Sequence, residues 1–272
     1  MLDKLIYTNH LNEQIEFGNF PYFANYSDLR DYAWNYTEAN SKILSFNKKI
    51  KQYKLPVVIM CKMEEEGYQR RNDLFEITEK DVLANQYGTL QIGDYKLQCY
   101  VQESKKSKFL DSKKYMEVQL TILTDKPYWL KENIFRFRKT TNDNDYLDFP
   151  YDMPYDFKNS LALMKFVNTN FTASNFKIII YGEVENPKLL INSHTYEVTT
   201  SLVANETLTI DSINKTIEQV SIAGTRYNKF NSRNKESYIF EKIASGNCAV
   251  LPSEKFDFDI IIYEERGEPK WT

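Results

Sequence analysis

Apolar and polar residues alternate with a period of two over much of this chain, the spacing of a strand whose successive side chains point to opposite faces. The clearest stretch is 176–211, FKIIIYGEVENPKLLINSHTYEVTTSLVANETLTID. Phe176, Ile178 and Ile180 fall on one side and Ile179 and Tyr181 on the other, which predicts a strand covered on both faces. Gly182 ends that run and Asn186-Pro187 turns the chain. Leu189 to Ile191 and Tyr196 to Val198 flank the polar tip Asn192-Ser193-His194, so a hairpin follows, and Thr207 to Asp211 supplies another strand. Strands this close together cannot be joined by helical crossovers, and the stretch predicts an antiparallel sandwich.

From the start, Leu5-Ile6-Tyr7 and Ile15-Glu16-Phe17 bracket the turn Asn9 to Asn12, an opening hairpin. Asp31 to Tyr36, DYAWNY, places Tyr32, Trp34 and Tyr36 on one face of an expected strand. Pro56 to Met63 reads as a central strand with its proline at the first position. Asp73 and Glu76 resemble a capping box, and Leu74, Phe75, Ile77, Val82 and Leu83 can share a face, so a helix is expected over Asn72 to Asn85, ended before Gly88. Thr89 to Ile92 and Lys96 to Val101 frame the turn Gly93-Asp94. Ser104 to Lys114, with Lys105, Lys106, Lys108, Lys113 and Lys114 against Asp111, reads as a solvated loop or a contact for an acidic neighbour. Met116 to Leu123 alternates as a strand and runs into Asp125-Lys126-Pro127, taken as the domain boundary.

Beyond it, Phe135 and Phe137 mark a short strand, Asn142 to Asp145 a turn, and Tyr146 to Phe157 an extended run held open by two prolines. Glu218 to Ile222, Tyr238 to Ile243 and Cys248 to Val250 are further strand candidates. Phe256 to Tyr263 sets Phe256, Phe258, Ile260 and Ile262 against Asp257 and Asp259, which predicts a half-exposed closing strand. The tail Arg266 to Trp271 is expected to fold back on the body. The fold class is therefore mainly β, in two domains over 1–130 and 131–272.

Composition adds exclusions. Aromatic residues make up 15% of the 272, with 20 Tyr and 17 Phe, which suits sheets and flat contact surfaces. A net charge of -3 argues against a nucleic-acid-binding surface, which shows as an excess of Lys and Arg. The charged opening MLDKLIYTNH does not read as a secretion signal, and no apolar run is long enough to span a membrane. Cys61, Cys99 and Cys248 are far apart and sit in apolar surroundings, so they read as buried free thiols of a protein made in a reducing cytosol. His10 and His194 lie in expected turn tips, and no G-x-S-x-G, H-E-x-x-H or phosphate loop occurs. Glu183 with Glu185, or Asp257 with Asp259, would stand about 6.5–7 Å apart on one strand face, yet such alternation ordinarily keeps a sheet soluble. Asp211 reads as a turn cap. No catalytic, cofactor-binding or metal-ligating residue is assigned, and the chain is not expected to be an enzyme.

Five segments carry a family resemblance in a fixed order: YGEVENPKLLINSHTYEV (181–198), ETLTIDS (206–212), Gly224 with Asn228-Lys229-Phe230, EKIASGN (241–247) and DIIIYEERGEPKW (259–271). In the first half, IYTN, DYAWNY, the helix into EKDVL, GTLQIGDYKLQCYV and PYW agree. The chain resembles, end to end, the distal tail proteins of long, non-contractile-tailed phages of Gram-positive hosts. It departs at Ser193, where that hairpin usually carries Gly.

The resemblance implies a structural protein of the virion tail tip, synthesised in the host cytoplasm. Its first domain, β-structured with one helix and a projecting hairpin, would form a homo-hexameric ring with a channel through which DNA passes without stable binding. Its second would be a galectin-like sandwich. The implied partners are the tail tube and last tube proteins, the tail-associated tip protein and a receptor-binding protein, with no membrane insertion and no cofactor. The resemblance names no interface residues. A carbohydrate-binding module contacting host cell-wall glycans is the alternative, because sandwiches of this kind also bind sugars and fold alone does not decide between them.

Overall fold

The computed structural model describes residues 4–25, 27–109, 114–139 and 163–271. The turn 142–145 and the two-proline run 146–157 lie outside them. The chain forms two compact units, one of Met1–Lys131 with Glu265–Thr272, the other of Glu132–Glu264. The final residues thus group with the first unit and not with the second, as 131–272 had them. There Arg30 donates to the carbonyls of Pro269 and Lys270, at 3.0 and 3.4 Å, and stacks 4.0 Å over the Trp271 ring.

Unit 1 contains β1 (Leu5–Thr8), β2 (Gln14–Phe17), β3 (Tyr22–Ala24), β4 (Asn35–Ala39), β5 (Lys42–Asn47), β6 (Lys51–Met60), helix α1 (Glu64–Ala84), β7 (Gly88–Ile92), β8 (Tyr95–Phe109), β9 (Tyr115–Thr124) and the start of β10 (Trp129–Phe137). β8 belongs to two layers. Its first residues pair with β7, extending the order β2-β1-β7-β8, and from Tyr100 onward it pairs with β9, extending β3-β6-β9-β8. Register shifts at Val101/Glu103 and Lys106/Lys108 accompany this change of partner, as bulges do where a strand bends between sheets. Leu5, Tyr7, Leu55, Val57, Leu90, Leu97, Leu120 and Trp129 fill the core.

Several expectations change here. Ser104 to Phe109 is strand, not loop; Lys105 and Lys106 lie opposite Gln119 and Val118, held by ladder hydrogen bonds that their side chains do not advertise. Pro56 sits in mid-strand. It lies just past the last β3 pair, Ala24↔Val57, and its carbonyl accepts from the Asn25 amide at 3.0 Å, so its missing N–H faces the end of β3, where no ladder bond is lost. Tyr32 and Trp34 precede β4 and are not in a strand.

The helix begins well before Asn72. Met63 caps it without a side-chain bond, and Glu64, Glu65 and Glu66 place negative charge at the positive end of the helix dipole. Its buried stripe is Gly67, Arg71, Leu74, Thr78 and Asp81, while Val82 and Leu83 are exposed. That stripe is mostly polar, so apolar periodicity could not locate it. Asn85 ends the helix in the left-handed region, φ 51°, as the expected stop before Gly88 requires.

Asp81 is the tie point of this unit. Its carboxylate is fully buried, accepts from the Tyr7 hydroxyl and from the His10 amide at 2.8 Å, and lies 2.5 Å from His10 Nδ1. Burial first, then the Asp81 bond, pushes the Tyr7 phenol far up, so it stays a donor. Gly88 leaves the room: a Cβ there would fall 2.2 Å from Asp81 Oδ2 and 2.4 Å from the Tyr7 hydroxyl. Strand β1, the β1–β2 turn, the end of α1 and the start of β7 therefore share one buried carboxylate.

Unit 2 is a two-sheet sandwich built from β11 (Met164–Asn168), β12 (Phe176–Tyr181), β13 (Val184–Glu185), β14 (Lys188–Ile191), β15 (His194–Glu197), β16 (Ser201–Leu202), β17 (Thr207–Asp211), β18 (Thr216–Val220), β19 (Arg226–Asn228), β20 (Gly246–Pro252) and β21 (Asp257–Arg266). One sheet runs β19-β18-β17-β12-β21 and the other β11-β20-β14-β15, all antiparallel. Phe176, Ile178, Leu208, Phe258 and Ile260 of the first face Leu189, Ile191, Tyr196 and Val250 of the second in a single core. Phe176 meets Tyr196 edge-on at 5.1 Å.

Two expectations are corrected in this unit. Tyr238 to Ile243 is not a strand: the Glu241 amide closes a turn on the Tyr238 carbonyl, and Ile243 alone bridges to Ser174. β21 is not half-exposed. Residues Phe258 to Glu264 are buried on both faces, and Asp259 is compensated by Arg138 at 2.6 Å and the Tyr181 hydroxyl at 2.9 Å. Around β14–β15, Asn192 and Ser193 take φ of 47° and 70°, the two left-handed positions of a tight hairpin turn.

Asp81→Ala should lower stability in chemical denaturation by roughly 3 kcal/mol or more, since it orphans the Tyr7 hydroxyl and the His10 amide together. Gly88→Ala should destabilise comparably through the same contact. Ser193→Gly should instead raise stability by about 0.5–1 kcal/mol, because glycine takes the left-handed region without a Cβ penalty; a loss would show that Ser193 is not strained.

Candidate interaction surface

The β4–β5 hairpin lacks what normally holds a hairpin together. Asn40 and Ser41, φ 50° and 58°, form its two-residue turn, and Tyr36 lies opposite Phe46. Every residue from Asn35 to Phe46 is exposed. Tyr36, Ile43, Leu44 and Phe46 are 57–66% exposed, and Tyr32, Trp34 and Ile50 lie bare at its root. A two-stranded ribbon with no core beneath it is marginal in water, and large apolar side chains left open in a cluster mark a contact surface. Across the ribbon itself the Thr37 and Ser45 hydroxyls meet at 2.6 Å. The sequence pattern points to Tyr32, Trp34 and Tyr36 but not to Ile43, Leu44 and Phe46. Their signal is Asn40-Ser41 between short mixed runs, which becomes legible only when every residue of the ribbon from Asn35 to Phe46 is seen to be exposed.

The residues weighed for chemistry are placed in structural roles. His10 is engaged by Asp81. His194 Nε2 lies 2.9 Å from the Tyr238 carbonyl and 3.2 Å from Ser237 Oγ. Asp211 accepts from the amides of Ile213 and Asn214 at 2.9 and 3.0 Å, the turn-capping role expected of it. Asp257 accepts from the Lys139 amide at 2.7 Å, whereas Asp259 is buried with Arg138 and Tyr181, so the two are not an open acid and base pair. Glu183 and Glu185 are exposed on either side of buried Val184. Cys61, Cys99 and Cys248 are free and buried, and burial pushes the Cys61 thiol up. Among the described residues, no three of His, Cys, Asp or Glu are grouped as a metal would need. Nor, among them, is any helix long and apolar enough to cross a membrane.

No protein-family model matches the chain, and no curated protein matches it either. Solved structures do. The Dit protein of phage SPP1, described as a paradigm of the hub adsorption apparatus in phages infecting Gram-positive bacteria, superposes with a TM-score of 0.61 at 8% identity, covering 98% of this chain and 100% of that one. A chain of the phage p2 baseplate, in its activated conformation with Ca, gives 0.60 at 13% identity, covering 99% and 100%. The same baseplate with Sr gives 0.59 at 12%, with the same coverage. At these identities the likeness establishes architecture: along its whole length, this chain has the fold found in the hub and baseplate proteins of phage tails.

Proposed function

We propose that this protein is a non-catalytic structural component of a phage tail, a hub at its distal end. The observation that carries the reading is likeness to a hub protein over 98% of this chain and 100% of the other. The bare β4–β5 ribbon supports it independently, since an uncovered apolar ribbon calls for a partner.

In this reading, six copies close into a ring through residues 1–130. Head-to-tail closure needs two different patches that meet between neighbours, and β4–β5 supplies one of them. The ring joins the tail tube and its last tube proteins to the tail-associated tip protein. Unit 2, as a galectin-like sandwich, faces a receptor-binding protein. The protein belongs to the virion, is made in the host cytoplasm and does not insert in a membrane. DNA must pass the ring without adhering, so neutral or acidic side chains should line the channel, with Lys105 and Lys106 turned away from it.

Native mass spectrometry of the full chain, alone and mixed with neighbouring tail proteins, tests this. A species of six chains is expected. Glycan-array binding by a chain that stays monomeric in both conditions would overturn it in favour of a carbohydrate-binding module. The double substitution Leu44→Asp with Phe46→Asp should abolish the six-chain species while changing stability by no more than about 0.5 kcal/mol, because both side chains are exposed.

A further inference from the structure

At the root of the β4–β5 ribbon, unit 1 holds a small cleft of about 100 Å³ lined by Tyr32, Lys48, Lys51, Tyr53, Pro127 and Gly267, among others. Its charged groups are ammonium donors, beside the Tyr32 and Tyr53 hydroxyls, the Asn35 amide and the Pro127 carbonyl. Lys48 Nζ donates to the Pro127 carbonyl at 3.0 Å and sits 4.1 Å from the Tyr128 ring centre and 4.9 Å from that of Trp34. Lys51 donates to the Asp31 carbonyl and lies 4.4 Å over the Tyr53 ring. Tyr53 is only 3% exposed, and its buried hydroxyl has no hydrogen-bond partner among the described residues. Burial pushes that phenol up to about 12, so it remains a donor at neutral pH.

Two ammonium groups and an unmatched hydroxyl around one small space call for an anionic acceptor, because an unsatisfied buried donor carries its full desolvation cost. Among the described residues neither lysine has an ion-pair partner; aromatic faces and backbone carbonyls meet them instead. Gly267 keeps the space open, since a Cβ there would come within 3.0 Å of Tyr32 and 3.4 Å of Lys48 Nζ. We propose that this cleft receives a carboxylate presented by a neighbouring polypeptide, held between Lys48, Lys51 and the Tyr53 hydroxyl. The cleft's size suits a single carboxylate with part of its stem. Exposed Tyr32, Trp34 and Ile50 around it offer apolar surface to the adjoining peptide, which a free inorganic anion could not use.

Protonation couples to this binding. Burial, then Lys51, lowers Lys48 to about 8, opposed by Glu265; burial likewise lowers Lys51, opposed by Asp31 and Asp28, and Lys49 also lines the cleft. A bound carboxylate favours the ammonium form, so binding is strongest below that pH and fades as pH rises through it. In the free protein the sign is the reverse: a lysine whose folded value is depressed destabilises below about 8 and ceases to do so as pH climbs toward its ordinary value of 10.5.

The test is NMR of the full chain with carbon-labelled lysine, following Lys48 through pH in chloride, acetate or inorganic phosphate at equal ionic strength. Acetate should raise the Lys48 midpoint above its value in chloride, and by more than phosphate does. A blocked leucyl-aspartate peptide should act at lower concentration than acetate. Tyr53→Phe should weaken the acetate effect about tenfold, the loss of one hydrogen bond to a charged acceptor, while leaving the melting temperature unchanged or raised. An identical midpoint in acetate and chloride overturns the site. A larger response to phosphate overturns the carboxylate assignment, and equal potency of acetate and peptide overturns the polypeptide source. None of these outcomes alters the six-chain mass expected of the hub, so the two readings fail separately.

Discussion

The double pairing of β8 is the constraint on which unit 1 depends. One strand, Tyr95–Phe109, gives its first residues to β7 and the rest to β9, so the register of both layers is set by a single backbone. A slip of one residue would turn Leu97 and Cys99 outward on one side and disturb the match to Met116, Val118, Leu120 and Ile122 on the other. The bulges at Val101/Glu103 and Lys106/Lys108 absorb the change of direction without breaking the ladder. Its lysine-bearing half needs no apolar side chains because β9 supplies the buried row and the backbone supplies the bonds.

Buried polar groups then decide how the elements meet. Apolar rows attract without direction, so they place a helix on a sheet but do not set its position along the axis. Asp81 does, by engaging Tyr7 and His10 beside Gly88, and Arg71 adds a bond to the Tyr115 carbonyl at 3.0 Å. In unit 2 Asn168 plays a similar part, donating to Ser174 Oγ and to the carbonyls of Ile243 and Ala244 at 3.0–3.2 Å, which ties the irregular 243–244 segment to β11. Gly182 passes where a Cβ would strike the Val203 carbonyl at 2.3 Å, so the exit from β12 tolerates no side chain.

The surface features fit a protein whose business is contact. The β4–β5 ribbon shows apolar side chains to solvent without a core beneath them, and the lysine-lined cleft lies at its foot. Both sit on unit 1. His10, His194, Asp211, Asp257 and Asp259 are engaged in turns and hydrogen bonds, while Glu183 and Glu185 stand exposed.

Strands were legible in the sequence wherever one face is apolar and the other is not. β9 alternates without a break, Thr207–Asp211 carries its own boundaries, and Gly93-Asp94 and Asn192-Ser193 announce their turns, because period-two burial and left-handed turn positions are local properties. The order of the five motifs likewise pointed to the fold that the superpositions bear out. What depended on distant partners was not legible. The buried stripe of α1 is polar and makes sense only beside Tyr7, His10 and Tyr115. β21 looked half-exposed until Arg138 and Tyr181 closed over Asp259, and Lys105–Lys106 looked like loop until β9 lay alongside. The ribbon's bareness and the convergence of Lys48, Lys51 and Tyr53 with Gly267 are also tertiary facts. Local periodicity reports which side of a strand meets the core, whereas charge compensation and exposure are set by residues far away in the chain, and only the folded arrangement brings those together.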